Sequence, residues 1–264
     1  MPFVTYKNLN LHFSDNGKGE PIVFLHGFLE EMQMWKSLSA HFAQTNRVIL
    51  VDLLGHGKTG NLGYIHSMES QAEMLKFLLD ELQIKSSILI GHSMGGYIAL
   101  AFADMYPQQV SGLCLMNSTA LADSEEKKIN RDRGIIAVKN NHKIFIRIAI
   151  PNLFSENNRQ VFSKEIKEIT KEALEMSQQG IIAALEGMKI RADKTHLLKQ
   201  NDFPVCMIIG QQDPALDHVA LLSQAAMGKV EKVVFPDGHM SHIENEQELA
   251  VALKQWVIYI TEQV

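Results

Sequence analysis

The chain has 264 residues, 46% of them hydrophobic and 21% charged, with a formal net charge of −5 and two cysteines. That length suffices for one large α/β domain with a sizeable core. A mildly acidic balance without clustered Lys and Arg argues against non-specific nucleic-acid binding, and Cys114 and Cys206, each inside an apolar run, predict buried thiols rather than a disulfide framework or a metal site.

The opening stretch "MPFVTYKNLNLHF" alternates polar and apolar residues, which predicts a leading antiparallel hairpin up to about Asp15 and not a signal peptide. Short apolar runs follow at 22–28 (IVFLHGF), 47–55 (RVILVDLLG), 87–93 (SILIGHS), 112–118 (GLCLMNS), 205–213 (VCMIIGQQD) and 232–239 (KVVFPDGH). Continuous rather than alternating apolar character predicts strands of a parallel sheet covered on both faces. Between them, 67–82 and 95–106 read as helices, the second stopping before Pro107. The last helix has Asn245 as its cap and Glu248 three residues on, ahead of a stripe of Leu249, Ala252, Leu253, Trp256 and Ile260. This alternation predicts an α/β fold, a mostly parallel eight-stranded sheet with helices on both faces.

Residues 119–200 break the rhythm. Helical patterns over 127–139, 157–178 and 180–189, with no convincing strand, predict an all-helical cap inserted over one edge of the sheet. The core is then expected from 1–118 and 201–264. Within the insertion, the mixed-charge run 123–133 (DSEEKKINRDR) reads as a solvated helix face. No apolar run approaches the ~18 residues that span a membrane, so the expectation is a soluble, cytoplasmic protein with neither membrane nor nucleic-acid partner.

Chemistry-bearing residues gather at one edge. His26-Gly27-Phe28, Asp52, Ser93, Asn117, Asp213 and His239 all follow the carboxyl ends of predicted strands, where open α/β sheets bind ligands. Gly91-His92-Ser93-Met94-Gly95 fits the G-x-S-x-G pattern between a strand and a helix. Glycines let the turn tighten, and the turn lifts the serine Oγ out at a helix N-terminus, where N–H groups favour developing negative charge. A serine hydroxyl is a weak nucleophile and needs a base oriented by a third group. Downstream, Asp213 and His239 supply both, in the order Ser, Asp, His. Asp217, Asp237 and Asp123 stand as alternative carboxylates, and His242 as an alternative base.

Together these motifs resemble the α/β-hydrolase family, over nearly the full chain and most weakly across the cap. The likeness is to the branch that holds esterases, lactonases, cofactor-free haloperoxidases and carbon–carbon bond hydrolases. It implies Ser93 as nucleophile, His239, directly after Gly238 as in the family's motif, as general base and acid, and Asp213 as the orienting carboxylate. "HGF" at 26–28 resembles the oxyanion loop, which implies the backbone N–H groups of Phe28 and Met94 as the oxyanion hole. "DLLGHGKT" at 52–59 matches a supporting turn. The family's usual Glu-x-Pro after the histidine is here Glu244-Asn245-Glu246, which alters a helix entry. Serine rather than aspartate at 93 speaks against carbon–halogen and epoxide cleavage.

The implied activity is hydrolysis of a small-to-medium ester or activated carbonyl substrate through an acyl-enzyme on Ser93, without cofactor. The alternatives are a carbon–carbon bond hydrolase or lyase-type relative using the same triad, and a receptor-like binding protein with slow turnover. The histidines lack metal-ligand spacing and H-E-x-x-H, so no metal is expected. Gly57-Lys58-Thr59 ends like a phosphate-binding loop, but Asp52 stands where that motif needs glycine. His92 reads as a packing and hydrogen-bonding residue and His26 as a brace for the oxyanion loop. In the cap, Phe145, Phe154, Phe162, Met176 and Met188 line an acyl pocket or form the cap's own core. Arg131 and Arg133 either anchor a substrate carboxylate or, as expected here, belong to the solvated face. The substrate and the oligomeric state are not legible at this level.

Overall fold

The computed structural model describes residues 2–200 and 202–262; the expected start of the second core segment at 201 lies outside them. Strands β1 (Phe3–Tyr6), β2 (Leu9–Asn16) and β3 (Pro21–Leu25) lead to α1 (Lys36–Phe42), β4 (Arg47–Val51), α2 (Met68–Glu81), β5 (Ser87–His92), α3 (Met94–Met105) and β6 (Val110–Met116). Then come helices only: α4 (Glu125–Ala149), α5 (Asn158–Val161), α6 (Ser163–Ala173), α7 (Gln178–Lys189) and α8 (His196–Lys199). The sheet resumes with β7 (Val205–Gly210), α9 (His218–Ala225), β8 (Val230–Phe235), α10 (Ser241–Glu244) and α11 (Glu246–Thr261).

The eight strands form one sheet in the order β1-β2-β4-β3-β5-β6-β7-β8. β1 with β2 and β2 with β4 are antiparallel, and the other neighbours are parallel. Side chains of a strand alternate between faces, and β5 feeds two cores in this way. Ile88 and Ile90 pack with Trp35, Leu253 and Trp256 beneath the sheet. Leu89 faces Leu75, Leu78, Ile98 and Phe102 above it. Burial on both faces is why these strands read as unbroken apolar runs. Cys114 and Cys206 lie opposite one another on β6 and β7, both buried and neither in a disulfide. Among the described residues, no helix is long and apolar enough to cross a membrane.

Three local expectations need correction. Asn245 precedes α11 but does not cap it; its side-chain amide donates instead to Asp237 Oδ2 at 2.7 Å. The bond to Asp237 fixes the amide with its Oδ1 buried and out of reach of any helix N–H. The pattern over 157–178 is not one helix: α5 and α6 meet at Phe162, and the chain breaks again before Ser177, whose hydroxyl caps α7 through Gly180 N. The 127–139 helix in turn runs on to Ala149, with a kink at Asn141 (φ −163°, ψ 93°), whose side chain accepts from Ile144 N and restarts the helix.

Helix α7 comes close to the sheet domain because two of its residues have no side chain. A Cβ on Gly180 would collide with the carbonyl of Gly55, and one on Gly187 with the backbone of His66 and Ser67.

Candidate active site

β5 ends at His92 and α3 begins at Met94, leaving Ser93 to turn the chain at φ 50°, ψ −113°. Positive φ is costly for a residue with a Cβ. Hydrogen bonds hold it: Ser93 N donates to Met116 O at 2.9 Å, and Ser93 O accepts from Ser118 Oγ at 2.8 Å and Gly96 N at 3.0 Å. The flanking glycines are steric necessities. A Cβ at Gly91 would strike the backbone of Gly95, and one at Gly95 would strike the carbonyl of Leu25.

Ser93 Oγ lies 2.9 Å from His239 Nε2, and His239 Nδ1 lies 2.7 Å from Asp213 Oδ2. Asp213 follows β7, where its Oδ1 accepts from Ala215 N at 2.8 Å and Leu216 N at 3.0 Å. Burial alone would raise its pKa, but the His239 charge and hydrogen bonds from His239, Ala215 and Asn117 outweigh burial and hold it below the ordinary carboxylate value. His239 follows β8 and donates its N–H to Leu153 O at 3.0 Å.

The competing residues are committed elsewhere. Asp217 caps α9 through Ala220 N. Asp237 accepts from Asn158 and Asn245. Asp123 is buried between Arg131 Nε at 3.1 Å and Arg191 NH1 at 2.7 Å. His242 is buried, its Nε2 3.7 Å from Glu30 Oε1, and burial lowers its pKa to about 4. None of these four makes a hydrogen bond to Ser93.

Phe28 lies on the wall of the same cavity as Ser93, and Met94 opens α3, whose first N–H groups have no intrahelical acceptor. The loop carrying Phe28 is braced twice. Gly27 N donates to Glu30 Oε2 at 2.8 Å, and His26 Nδ1–H donates to Gly27 O at 2.8 Å while its Nε2 accepts from Leu53 N at 3.0 Å. That arrangement keeps His26 neutral, and burial lowers its pKa accordingly. Asp52 anchors the next turn by accepting from His12 Nδ1 (2.6 Å), Met32 N (2.9 Å) and Lys58 N (2.9 Å).

One residue expected at this edge takes a linking role, and two further contributors were not foreseen. Asn117, at φ 45°, donates to both Asp213 Oδ2 (3.3 Å) and Gly238 O (3.1 Å), joining the loops that carry Asp213 and His239. Glu244 accepts from Ser155 N and Oγ, Asn158 Nδ2 and Met240 N, tying the helical segment between β6 and β7 to the residue after His239. Lys127 reaches the cavity from α4; its spacing from Arg131, four residues along one helix face, was the available signal.

The cavity has a volume of about 340 Å³, with Ser93 and His239 in its wall. Phe28, Phe145, Leu153, Leu185, Met188 and Leu216 make its apolar side, and Lys127, Asn130 and Arg131 its polar side. The solvated-face reading of 123–133 therefore holds for Arg133, which is exposed, but fails for Asp123, Lys127 and Arg131. Of the five apolar candidates in the cap, Phe145 and Met188 line this cavity, whereas Phe154 is fully buried in the core and Phe162 and Met176 border other clefts.

A family model described as the alpha/beta hydrolase fold matches residues 20–246. A thermophilic esterase from Thermogutta terrifontis, solved with malate bound, is 31% identical with a TM-score of 0.92, covering 98% of this chain and 99% of its own. An enol-lactonase from Burkholderia xenovorans LB400, at 20% identity, shares the fold with a TM-score of 0.90 over 97% of this chain and 100% of its own. The dihydrolipoyllysine-residue acetyltransferase component of the acetoin cleaving system of Pseudomonas putida is 30% identical over 249 residues, 89% of this chain; the chain spans 64% of that protein's length.

Proposed function

The chain belongs to the alpha/beta hydrolase fold family, and from that premise we propose that it is a serine hydrolase cleaving a small-to-medium ester or similarly activated carbonyl compound. The observation that carries the reading is the unbroken relay Asp213–His239–Ser93, 2.7 and 2.9 Å between successive partners, opening onto a largely apolar cavity.

In this scheme Ser93 Oγ attacks the substrate carbonyl while His239 Nε2 takes its proton. The oxyanion that forms is held by the N–H groups of Phe28 and Met94, donors each worth roughly 10²–10³ in rate. Collapse expels the leaving group, which takes the proton from His239 and leaves an acyl-enzyme on Ser93. His239 then deprotonates water, which attacks the acyl carbonyl and frees Ser93. Asp213 keeps Nδ1 protonated and stabilises the imidazolium at each stage. Protein, substrate and water supply every proton and electron pair. Residues 119–200 serve as a cap, with α4 and α7 shaping the acyl or alcohol pocket. The proposed setting is cytoplasmic and the proposed partner a small molecule.

Hydrolysis of p-nitrophenyl acetate, butyrate and octanoate by wild type and Ser93→Ala tests the scheme. Activity with a chain-length preference that falls by several orders of magnitude in Ser93→Ala supports it. Equal, slow rates in two folded proteins would overturn the ester reading in favour of carbon–carbon cleavage or of ligand binding without turnover.

A further inference from the structure

Two cations share the polar side of the cavity. Lys127 and Arg131 lie four residues apart on α4 and both line it, while no Asp or Glu among the described residues does. Like charges at this spacing on a helix repel and destabilise it. Here Asp123 offsets the repulsion only through space on the lysine side: the Lys127 ammonium makes no hydrogen bond or ion pair with the described residues, and it is only partly exposed.

Asp123, the carboxylate whose charge acts most strongly on Lys127, is already paired with two arginines. Its Oδ1 is held by Arg191 NH1 at 2.7 Å and its Oδ2 by Arg131 Nε at 3.1 Å. Arg191 is itself fixed by the carbonyls of Leu121 and Met188 and by stacking 4.0 Å above the Tyr97 ring. Asp123 thus works as a jig. It grips Arg131 by Nε and leaves the outer guanidinium edge, the edge that pairs bidentately with a carboxylate, without a partner among the described residues. Burial pulls the Lys127 pKa down, with Arg191 and Arg131 pushing the same way and Asp123 and Asp213 opposing. An anion between the two cations would relieve this.

We infer that the cavity takes a substrate bearing a carboxylate, which Lys127 and Arg131 bind on the α4 side, with Asn130 beside them, while the scissile carbonyl lies at Ser93. The intervening wall is apolar, so the substrate class is an aliphatic hemi-ester: an ester or lactone carbonyl joined to a carboxylate by a short hydrocarbon chain. A volume of about 340 Å³ lies at the small end of ligand cavities (~300–1,000 Å³) and suits a chain of several carbons.

The inference rests on the serine-hydrolase reading, and the test separates the two. Rates are measured by pH-stat on monomethyl adipate against methyl heptanoate, and on 6-acetoxyhexanoate against hexyl acetate, which put the charge on the acyl and alcohol sides respectively. Wild type should prefer at least one anionic ester over its neutral partner by about tenfold or more in kcat/KM, as expected for a hydrogen bond to a charged group. Lys127→Met should collapse that ratio towards one, Lys127→Glu should invert it, and Lys139→Met, an exposed cation outside the cavity, should leave it in place. A wild-type ratio near one, or a ratio unmoved by Lys127→Met, overturns the inference.

If no ester is hydrolysed faster by wild type than by Ser93→Ala, the hydrolase reading falls. The anion site is then judged by calorimetry with adipate on Ser93→Ala, with and without Lys127→Met. Binding weakened about tenfold by the second change upholds the site, whereas absent or unchanged binding removes it. Tighter binding of hexyl phosphate than of adipate would overturn the carboxylate assignment.

Discussion

His92 Nε2 lies 2.9 Å from the backbone carbonyl oxygen of His239, and its Nδ1 lies 2.7 Å from Glu30 Oε2. Both partners are acceptors, so both ring nitrogens carry hydrogen and His92 is an imidazolium. Burial opposes that charge, but Glu30 prevails and raises the pKa of His92. Burial likewise works against ionised Glu30, and His92, with lesser help from His242 and His26, lowers its pKa to about 2. The same Oε2 accepts from Gly27 N at 2.8 Å. One buried ion pair therefore ties the HGF loop, the residue before Ser93 and the main chain of His239 together.

Stability should follow this pair through pH. Glu30 has a folded pKa of about 2 against an ordinary 4.5, so its contribution is complete above about 4.5 and is lost as pH falls towards 2. His92 has a folded pKa above its ordinary 6.5, so its contribution is complete below 6.5 and is lost as pH rises through the raised value. Removing one partner of a buried pair costs about 3–5 kcal/mol. The Tm gap between wild type and Glu30→Gln should accordingly be widest near pH 5–6 and narrow towards both pH 3 and pH 9. A gap that stays flat across that range would mean His92 is neutral.

Asp213→Asn should retain the fold and lower kcat by about 10²–10⁴, because an amide in that position stabilises the wrong imidazole tautomer. Asn117 already donates to Oδ2, so the new amide has one acceptor and competes poorly for His239 Nδ1–H. Asp217→Asn, at a helix cap, should leave kcat near wild type. Parallel steady-state kinetics decide between the carboxylates. Equal losses in both variants would mean the effect is on folding.

The central strands were legible because each lies between two covered faces, so Ile88, Leu89 and Ile90 of β5 had to be apolar in succession. Ser93, Asp213 and His239 stood out for a related reason: a polar residue after such a run marks the carboxyl edge of the sheet. The fold brings the three within hydrogen-bond reach. What the pattern missed depends on partners that local spacing does not reveal. Asn245 looked like a cap, but the bond from its Nδ2 to Asp237 fixes the amide with Oδ1 away from the helix N–H groups. Lys127 and Arg131 looked solvated because a charge run says nothing about the α7 side chains that fold over it. Asn117 stood out at the carboxyl edge but its linking role did not, and Glu30 was invisible, since both act by joining loops from separate strands.

The close seating of α7 predicts a cap mutant. Gly187→Ala places a methyl group against the backbone of His66 and Ser67, which cannot yield as a side chain could. Overpacking of this kind costs about 1–3 kcal/mol, and the helix should relieve it by shifting outward. Leu185 and Met188, on either side of Gly187, line the cavity, so KM should rise more than kcat falls. A denaturation midpoint and a substrate-saturation curve test both halves. An unchanged KM would mean that the strain is absorbed by the His66 loop.

Ser93 itself sets stability against chemistry. Its φ of 50° strains a residue with a Cβ, at about 1–3 kcal/mol for such conformations. Glycine adopts positive φ freely but loses about 0.5–1 kcal/mol more backbone entropy on folding. Ser93→Gly should therefore be more stable than wild type by about 1 kcal/mol, while Ser93→Ala, which keeps the Cβ, should gain little. Both lack the hydroxyl beside His239 and should be equally inactive. If chemical denaturation ranks Ser93→Ala at or above Ser93→Gly, the turn is not strained by its Cβ. In that case the bonds from Ser118 and Gly96 to Ser93 O, and from Ser93 N to Met116 O, have made this conformation the relaxed one.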